Sequence, residues 1–256
     1  MSNLLEGKLA LVMGIANKWS LAYGIAQAFS REGAKLVLTY LGEHQKEAVE
    51  SLAAGFSVEA ILPCDVTRDE DLEALSGSLT SMGRPLDAVI HSLAFANRED
   101  LGRAFVETPR SGYLLAQEVS AYSLVAVARA AAPAMTAGGS ITTLTYLGSV
   151  RVMPNYNVMG VAKASLEASV RYLANDLGPC SIRVNAISAG PVKTASARAV
   201  KDFSSLLNIV AERAPLRHTT EPAEVGDAAV FLASNLGRGV TGNVLYVDSG
   251  MHIMGL

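Results

Sequence analysis

Tyr156 and Lys163 stand seven residues apart in this chain, and a second tyrosine, Tyr146, lies ten residues before the first. Seven residues is about two turns of an α-helix, so on one helix the phenol of Tyr156 and the amine of Lys163 share a face. A phenol can donate a hydrogen bond to a carbonyl oxygen as negative charge develops on it. An ammonium beside it can hold sugar hydroxyls and lend a positive field. Tyr146 follows the β-branched run Ser140–Thr145 and so closes a strand, just before Leu147-Gly148. Together the three suit carbonyl chemistry. Spacing alone leaves a structural alternative open, since tyrosines at helix starts often serve packing and most lysines are solvated.

A second constellation lies near the N-terminus. The apolar run Leu9–Met13 gives way to Gly14, then to a hydroxyl at Ser20 and another glycine at Gly24. This is not the G-x-G-x-x-G fingerprint, but it has the same physical parts. Gly14 permits a tight turn. A helix starting near Ser20 offers N–H groups and positive dipole to a pyrophosphate. Ser20 can cap that helix or bond a phosphate oxygen, and Gly24 would let the helix pack close to the strand. The second strand ends at Thr39-Tyr40-Leu41, where a dinucleotide fold places the adenosine ribose. Asp65 closes the third strand and offers a carboxylate to an adenine amine, with Val66 next to it. His91-Ser92-Leu93-Ala94 closes the fourth beside the expected ribose path. No Arg or Lys immediately follows the second strand and Glu43 is near, so a 2′-phosphate has no obvious partner. The acidic ribose ligand usual at that strand end is missing too, and Leu41 offers no side-chain hydrogen bond.

Something must hold these residues at one edge. Strands are expected at Leu9–Met13, Lys35–Thr39, Val58–Leu62, Asp87–His91, Ser140–Thr145, Arg183–Ser188 and Val244–Val247. Amphipathic stretches alternate with them: Leu21–Glu32, Glu43–Ala54, Asp69–Met82, Tyr113–Met135, Asn157–Leu177 and Pro222–Ser234. Apolar strands alternating with helices predict a parallel sheet covered on both faces. Right-handed crossovers then restrict the topology to an α/β doubly wound fold of the Rossmann type, in a single domain over residues 1–256. Gly190–Thr220 departs from the alternation, mixing apolar and basic residues after the sixth strand. An insertion at a strand's carboxyl end lies over the ligand crevice, so a substrate-covering segment is expected near 192–215.

Composition narrows the class. Half of the 256 residues are apolar, 18% are charged and the formal net charge is −3, which excludes a disordered chain and argues against a nucleic-acid binder. The two cysteines, Cys64 and Cys180, form no ligand pattern, so no metal site is expected and both read as reduced core residues. The opening MSNLLEGK lacks a basic segment leading into an apolar one, and Ala121–Met135 is interrupted by Arg129 and Pro133. Neither a signal peptide nor a membrane span is expected, which leaves the cytoplasm as the default location.

Gly14–Gly24, His91–Ala96, Tyr146-Leu147-Gly148, Pro154–Gly160, Ala162–Glu167 and Arg183–Pro191 together resemble the bacterial NADH-dependent enoyl-acyl-carrier-protein reductases, divergent short-chain dehydrogenase/reductases. The likeness runs from about Leu5 to Ile253. Its discriminating feature is Tyr-x6-Lys; ordinary superfamily members use Tyr-x3-Lys, and the residue four after Tyr156 is Gly160. The resemblance implies reduction of the trans-2 double bond of enoyl thioesters in fatty-acid elongation. It implies that Tyr156 donates to the thioester carbonyl, that Lys163 binds the nicotinamide ribose and that Tyr146 assists. Gly14, Ser20 and Leu21 would meet the phosphates, Leu41, Asp65, Val66 and Leu93 the adenosine side, and Val192, Thr194, Ala195 and Ser196 the nicotinamide half. Ala96 would line the substrate pocket with Tyr146 and Tyr156, beneath a lid from Ala195 to Val210. NAD is the implied cofactor, NADH being favoured over NADPH, an enoyl-acyl carrier protein the substrate and a homotetramer the assembly. Arg198 and Lys201 could meet an acidic carrier, although Asp202 adjoins them. A keto or hydroxy dehydrogenase of the same superfamily is the alternative and would need Ser-Tyr-x3-Lys. A non-catalytic nucleotide sensor would be expected to lack Tyr156 or Lys163.

Overall fold

A computed structural model of the chain describes residues 3–194 and 203–255. Its centre is a sheet of β1 (Leu9–Met13), β2 (Lys35–Tyr40), β3 (Val58–Pro63), β4 (Ala88–His91), β5 (Gly139–Thr145), β6 (Ile182–Ala189) and β7 (Val244–Val247). The strand order is β3-β2-β1-β4-β5-β6-β7, and every pairing is parallel. The order reverses between β1 and β4, which opens a crevice at their carboxyl ends.

The pleat divides the core in two. Leu9, Leu11 and Met13 of β1 face one side, with α3 (Asp69–Ser81), α6 (Ser123–Ala131) and α7 (Asn157–Leu177). Ala10 and Val12 face the other, with α1 (Leu21–Arg31), α2 (Glu43–Ala53) and α9 (Pro222–Ala233). β1 is buried along its whole length, as expected of a central parallel strand covered on both faces.

The strands and most helices lie where the sequence places them, with ends shifted by a residue or two, as helix and strand ends commonly are. Two expectations are corrected. The stretch Tyr113–Met135 is not a continuous helix: α5 (Arg110–Gln117) runs into a π-helical turn, Glu118–Tyr122, before α6, and a 3-10 turn, Ala132–Ala134, follows. In that region the Ser123 hydroxyl donates to the Val119 carbonyl at 2.7 Å, the kind of local side-chain bond that competes with the helical ladder. Cys180 is also corrected: only Cys64 is buried, and Cys180 is exposed. The stretch after β6, expected as a substrate-covering departure from the alternation, contains α8 (Phe203–Arg213), with Leu207 and Val210 buried. A short α4 (Arg98–Gly102) also lies between β4 and α5.

Among the described residues, no helix is long and apolar enough to cross a membrane, and no group of His, Cys, Asp and Glu could hold a metal ion.

Candidate active site

Tyr156 is the N-cap residue of α7, and Lys163 lies on the same helix. Tyr146 leaves β5 in extended conformation. The two tyrosine rings meet edge to face, their centroids 5.0 Å apart. Two glycines make this possible. A Cβ on Gly148 would stand 2.6 Å from the Tyr156 ring and 3.3 Å from that of Tyr146, and one on Gly160 would stand 2.8 Å from the Gly148 carbonyl oxygen. No side chain fits at Gly160, so a lysine four residues after Tyr156 is sterically shut out.

Lys163 is 5% exposed, and its Nζ donates to the Leu144 carbonyl at 2.8 Å. One turn further along α7, the buried Glu167 accepts from the Thr145 hydroxyl at 2.7 Å. Two successive residues of β5 are thus tied to successive turns of α7. Burial pulls the Lys163 ammonium down to about 8, opposed by Glu167. Burial pushes the Tyr146 phenol up to about 12, with the Asp248 charge adding to it. The Tyr156 phenol is pushed up as well, by burial first and by Tyr146 second. Both phenols therefore stay protonated at neutral pH and are able to donate hydrogen bonds.

The β1–α1 turn has the form expected of an anion cradle. Gly14 adopts φ +95°, and a Cβ there would collide with the Ser92 carbonyl, 2.0 Å away. Ser20 caps α1: its Oγ accepts from the Tyr23 N–H at 3.3 Å and donates to the Asn17 carbonyl at 2.7 Å. No acidic side chain occupies the first turn of α1, so nothing there repels an anion at the positive helix end. The turn fits a pyrophosphate by its own chemistry.

Comparison with known proteins decides the family. The family model for enoyl-(acyl carrier protein) reductase matches residues 14–252. The enoyl-acyl-carrier-protein reductase (NADH) FabI of Bacillus cereus is 58% identical over 254 residues, covering 98% of this chain and 99% of that protein. The chain belongs to the enoyl-acyl-carrier-protein reductase family. A Staphylococcus aureus member, named as NADPH-dependent, is 49% identical over 97% of this chain and 98% of its own length. The crystal structure of the Bacillus cereus reductase with NADP+ and an indole naphthyridinone superposes with a TM-score of 0.97 at 57% identity, covering 100% of both chains.

The other residues expected to serve this reductase-family site gather along the same strand edge. Leu93 is half-buried behind the glycine turn, its Cδ2 lying 3.3 Å from where a Gly14 Cβ would stand. Ala96 packs with Tyr156 against a small cluster formed by Leu101, Ala116, Val158, Met159 and Ala162. Leu41 is exposed, and its N–H donates to Gln45 at 3.4 Å. One carboxylate oxygen of Asp65 accepts from both the N–H and the hydroxyl of Thr67, shaping the turn after β3. The Val66 side chain is in the core. Val192 is buried, and the Thr194 N–H donates to its carbonyl at 2.7 Å. Ala195, Ser196, Arg198 and Lys201 lie outside the described residues.

Two expectations are corrected. Gly24 does not bring α1 close to its strand; a Cβ there would meet Pro222, 2.7 Å away, so the glycine serves the close packing of α1 on α9. His91 does not line a ribose path, because it is fully buried. Its Nδ1 lies 2.8 Å from the Thr143 hydroxyl and its Nε2 lies 2.9 Å from that of Ser123. Ser123 donates onward to Val119, so its oxygen accepts from Nε2–H, while the Thr143 hydroxyl lies between Nδ1 and the His91 carbonyl, 3.2 Å away. Burial, with the Lys163 charge second, pulls this imidazole down to about 3, so it is neutral.

The sequence reading also passed over Lys46, whose ammonium pairs with Glu43 at 3.6 Å and lies 6.0 Å from the Tyr40 ring centroid. It puts a cation at the β2 end from the following helix. Its position one turn into that helix was the available signal. Ser120, inside the π-turn, gave no signal at all.

Proposed function

We propose that this protein reduces the trans-2 double bond of enoyl-acyl-carrier-protein thioesters with NADH. The observation that carries the reading is the placing of Tyr156 and Lys163 two turns apart on α7, beside Tyr146, with Gly160 closing the position a ketone-reducing relative would fill with lysine.

The bound dinucleotide would supply a hydride to the substrate's β-carbon. Tyr156 donates a hydrogen bond to the thioester oxygen as the acyl group becomes an enolate, such a donor contributing a few kcal/mol of barrier reduction, and a proton taken up at the α-carbon completes the saturated chain. Tyr146 abuts that phenol and orients it. Lys163, fixed by the Leu144 carbonyl, holds the nicotinamide ribose and keeps positive charge near the developing oxyanion. Gly14, Ser20 and Leu21 receive the pyrophosphate, Leu41, Asp65, Val66 and Leu93 the adenosine, and Val192, Thr194, Ala195 and Ser196 the nicotinamide end. Ala96 lines the acyl pocket. Residues 192–215, which include α8, act as the substrate lid.

NADH is the favoured cofactor because no cation directly follows β2, and the Bacillus cereus relative carries that name. Lys46 and the NADP+ in the related structure make NADPH the necessary control. A groove lined by Leu114, Tyr122 and Val125 together with Gln117, Glu118 and Ser169 supports packing against further copies in a homotetramer, for which light scattering after gel filtration is the check. The cytoplasm is the proposed location.

The deciding experiment follows loss of nicotinamide absorbance with crotonyl thioester and, separately, a ketoacyl thioester. Turnover of the first alone is expected. Turnover of the ketoacyl compound alone would make this a carbonyl reductase.

A further inference from the structure

We infer that Ser120 is a positioning residue for the acyl thioester, acting through the peptide of Phe95. The inference rests on the reaction proposed above. One hydroxyl serves both polar groups of a single residue: the Phe95 N–H donates to Ser120 Oγ at 2.9 Å, and Ser120 Oγ–H donates to the Phe95 carbonyl at 3.0 Å. Ser120 is fully buried, whereas Phe95 is 51% exposed. The backbone at Phe95 is therefore fixed from within while its ring faces outward.

The fixed peptide borders the reacting residues. The next residue, Ala96, packs with Tyr156 against the Leu101, Ala116, Val158, Met159 and Ala162 cluster. A shift of the Phe95 peptide moves Ala96 against the cluster on which the Tyr156 ring also packs. Ser120 lies in the π-turn, Glu118–Tyr122. The turn's extra residue rotates the flanking helical segments relative to one another by about 100°. Ser120 in the π-turn holds Phe95, and Ser123 at the start of α6 holds His91 through Nε2, so neighbouring residues grip the β4 end and the segment beyond it at two points.

The test is Ser120→Ala, with steady-state kinetics on crotonyl thioester, NADH affinity by fluorescence titration and thermal melting. Leaving a buried donor and acceptor unpaired is expected to raise KM for the thioester by about tenfold. The larger change should fall on KM rather than on kcat, with NADH affinity unchanged. If Ser120→Ala does not fold, Ser120→Cys fills the same space with weaker bonds and should raise KM in the same direction by less. A lower melting temperature with KM unchanged would assign Ser120 to stability alone and overturn the inference. So would a loss of NADH affinity that matches the rise in KM. A wild-type enzyme that reduces no enoyl thioester would instead overturn the reading of the reaction, and the inference with it.

Discussion

A Cβ placed on Gly160 would stand 2.8 Å from the backbone carbonyl oxygen of Gly148. α7 therefore passes the turn after β5 at a distance that admits no side chain. The lysine of this site comes three residues later, at Lys163, where its ammonium reaches the Leu144 carbonyl.

Gly160→Ala should accordingly disturb the site as well as the fold. The atom it would meet is backbone and cannot swing aside, so a loss of about 1–3 kcal/mol in stability is expected. Tyr156 shares the contact, its ring 3.7 Å from the same point. Chemical denaturation and kcat should both fall; a variant with wild-type values of both would remove the steric account of the Tyr-x6-Lys spacing.

Tyr156→Phe keeps the ring that packs against Tyr146 and Gly148 and removes only the donor. Enoyl reduction should slow by about tenfold to a hundredfold, with NADH affinity nearly intact. Single-turnover rates measured beside cofactor titrations separate the two effects. Unaltered rate and selectivity would show that the phenol is not the donor.

If Lys163 holds the nicotinamide ribose as proposed, cofactor binding should depend on pH. Its ammonium is pulled from an ordinary value of 10.5 to about 8, so it loses its charge within an accessible range. NADH affinity should hold below about pH 8 and weaken above it. Charge buried on Lys163 opposes folding, so chain stability should rise between about pH 8 and 10.5 and fall as pH drops through 8. Glu167, on the same helix, moderates both trends, and His91 remains neutral throughout. Lys163→Met should bind NADH weakly with no break near pH 8; a break that persists must belong to another group.

His91 sets an acid limit. The unfolded imidazole takes its proton near 6.5, whereas burial between Thr143 and Ser123 pulls the folded value to about 3. Stability from this group is complete above about pH 6.5 and falls as pH drops toward 3. The slope is about 1.4 kcal/mol per pH unit. Urea denaturation at pH 7, 5 and 4 should show this loss, and His91→Gln should flatten it. An equally steep decline in the variant would place the acid sensitivity elsewhere.

Much of the architecture was legible because it depends on local pattern. Strands such as Leu9–Met13 and Val244–Val247 match the structure at both ends, as does the helix Asn157–Leu177. Tyr156 and Lys163 were identifiable for the same reason, since a seven-residue spacing is a local property of a helix. Gly14 was legible through the turn it permits, but Gly24 was assigned to the wrong neighbour. Its partner Pro222 lies at the far end of the chain, and no short-range pattern joins them.

The sequence by itself determined the alternation of strand and helix, the parallel sheet, the glycine turn at a helix start and the phenol–amine pair. Each depends on residue type and on a period of two or 3.6. Tertiary structure alone decided that His91 is buried and neutral, that Gly160 must lack a side chain and that Ser120 grips Phe95. Those depend on which distant segments come to rest against one another, and hydrogen-bond partners 25 or 52 residues apart leave no periodic trace along the chain.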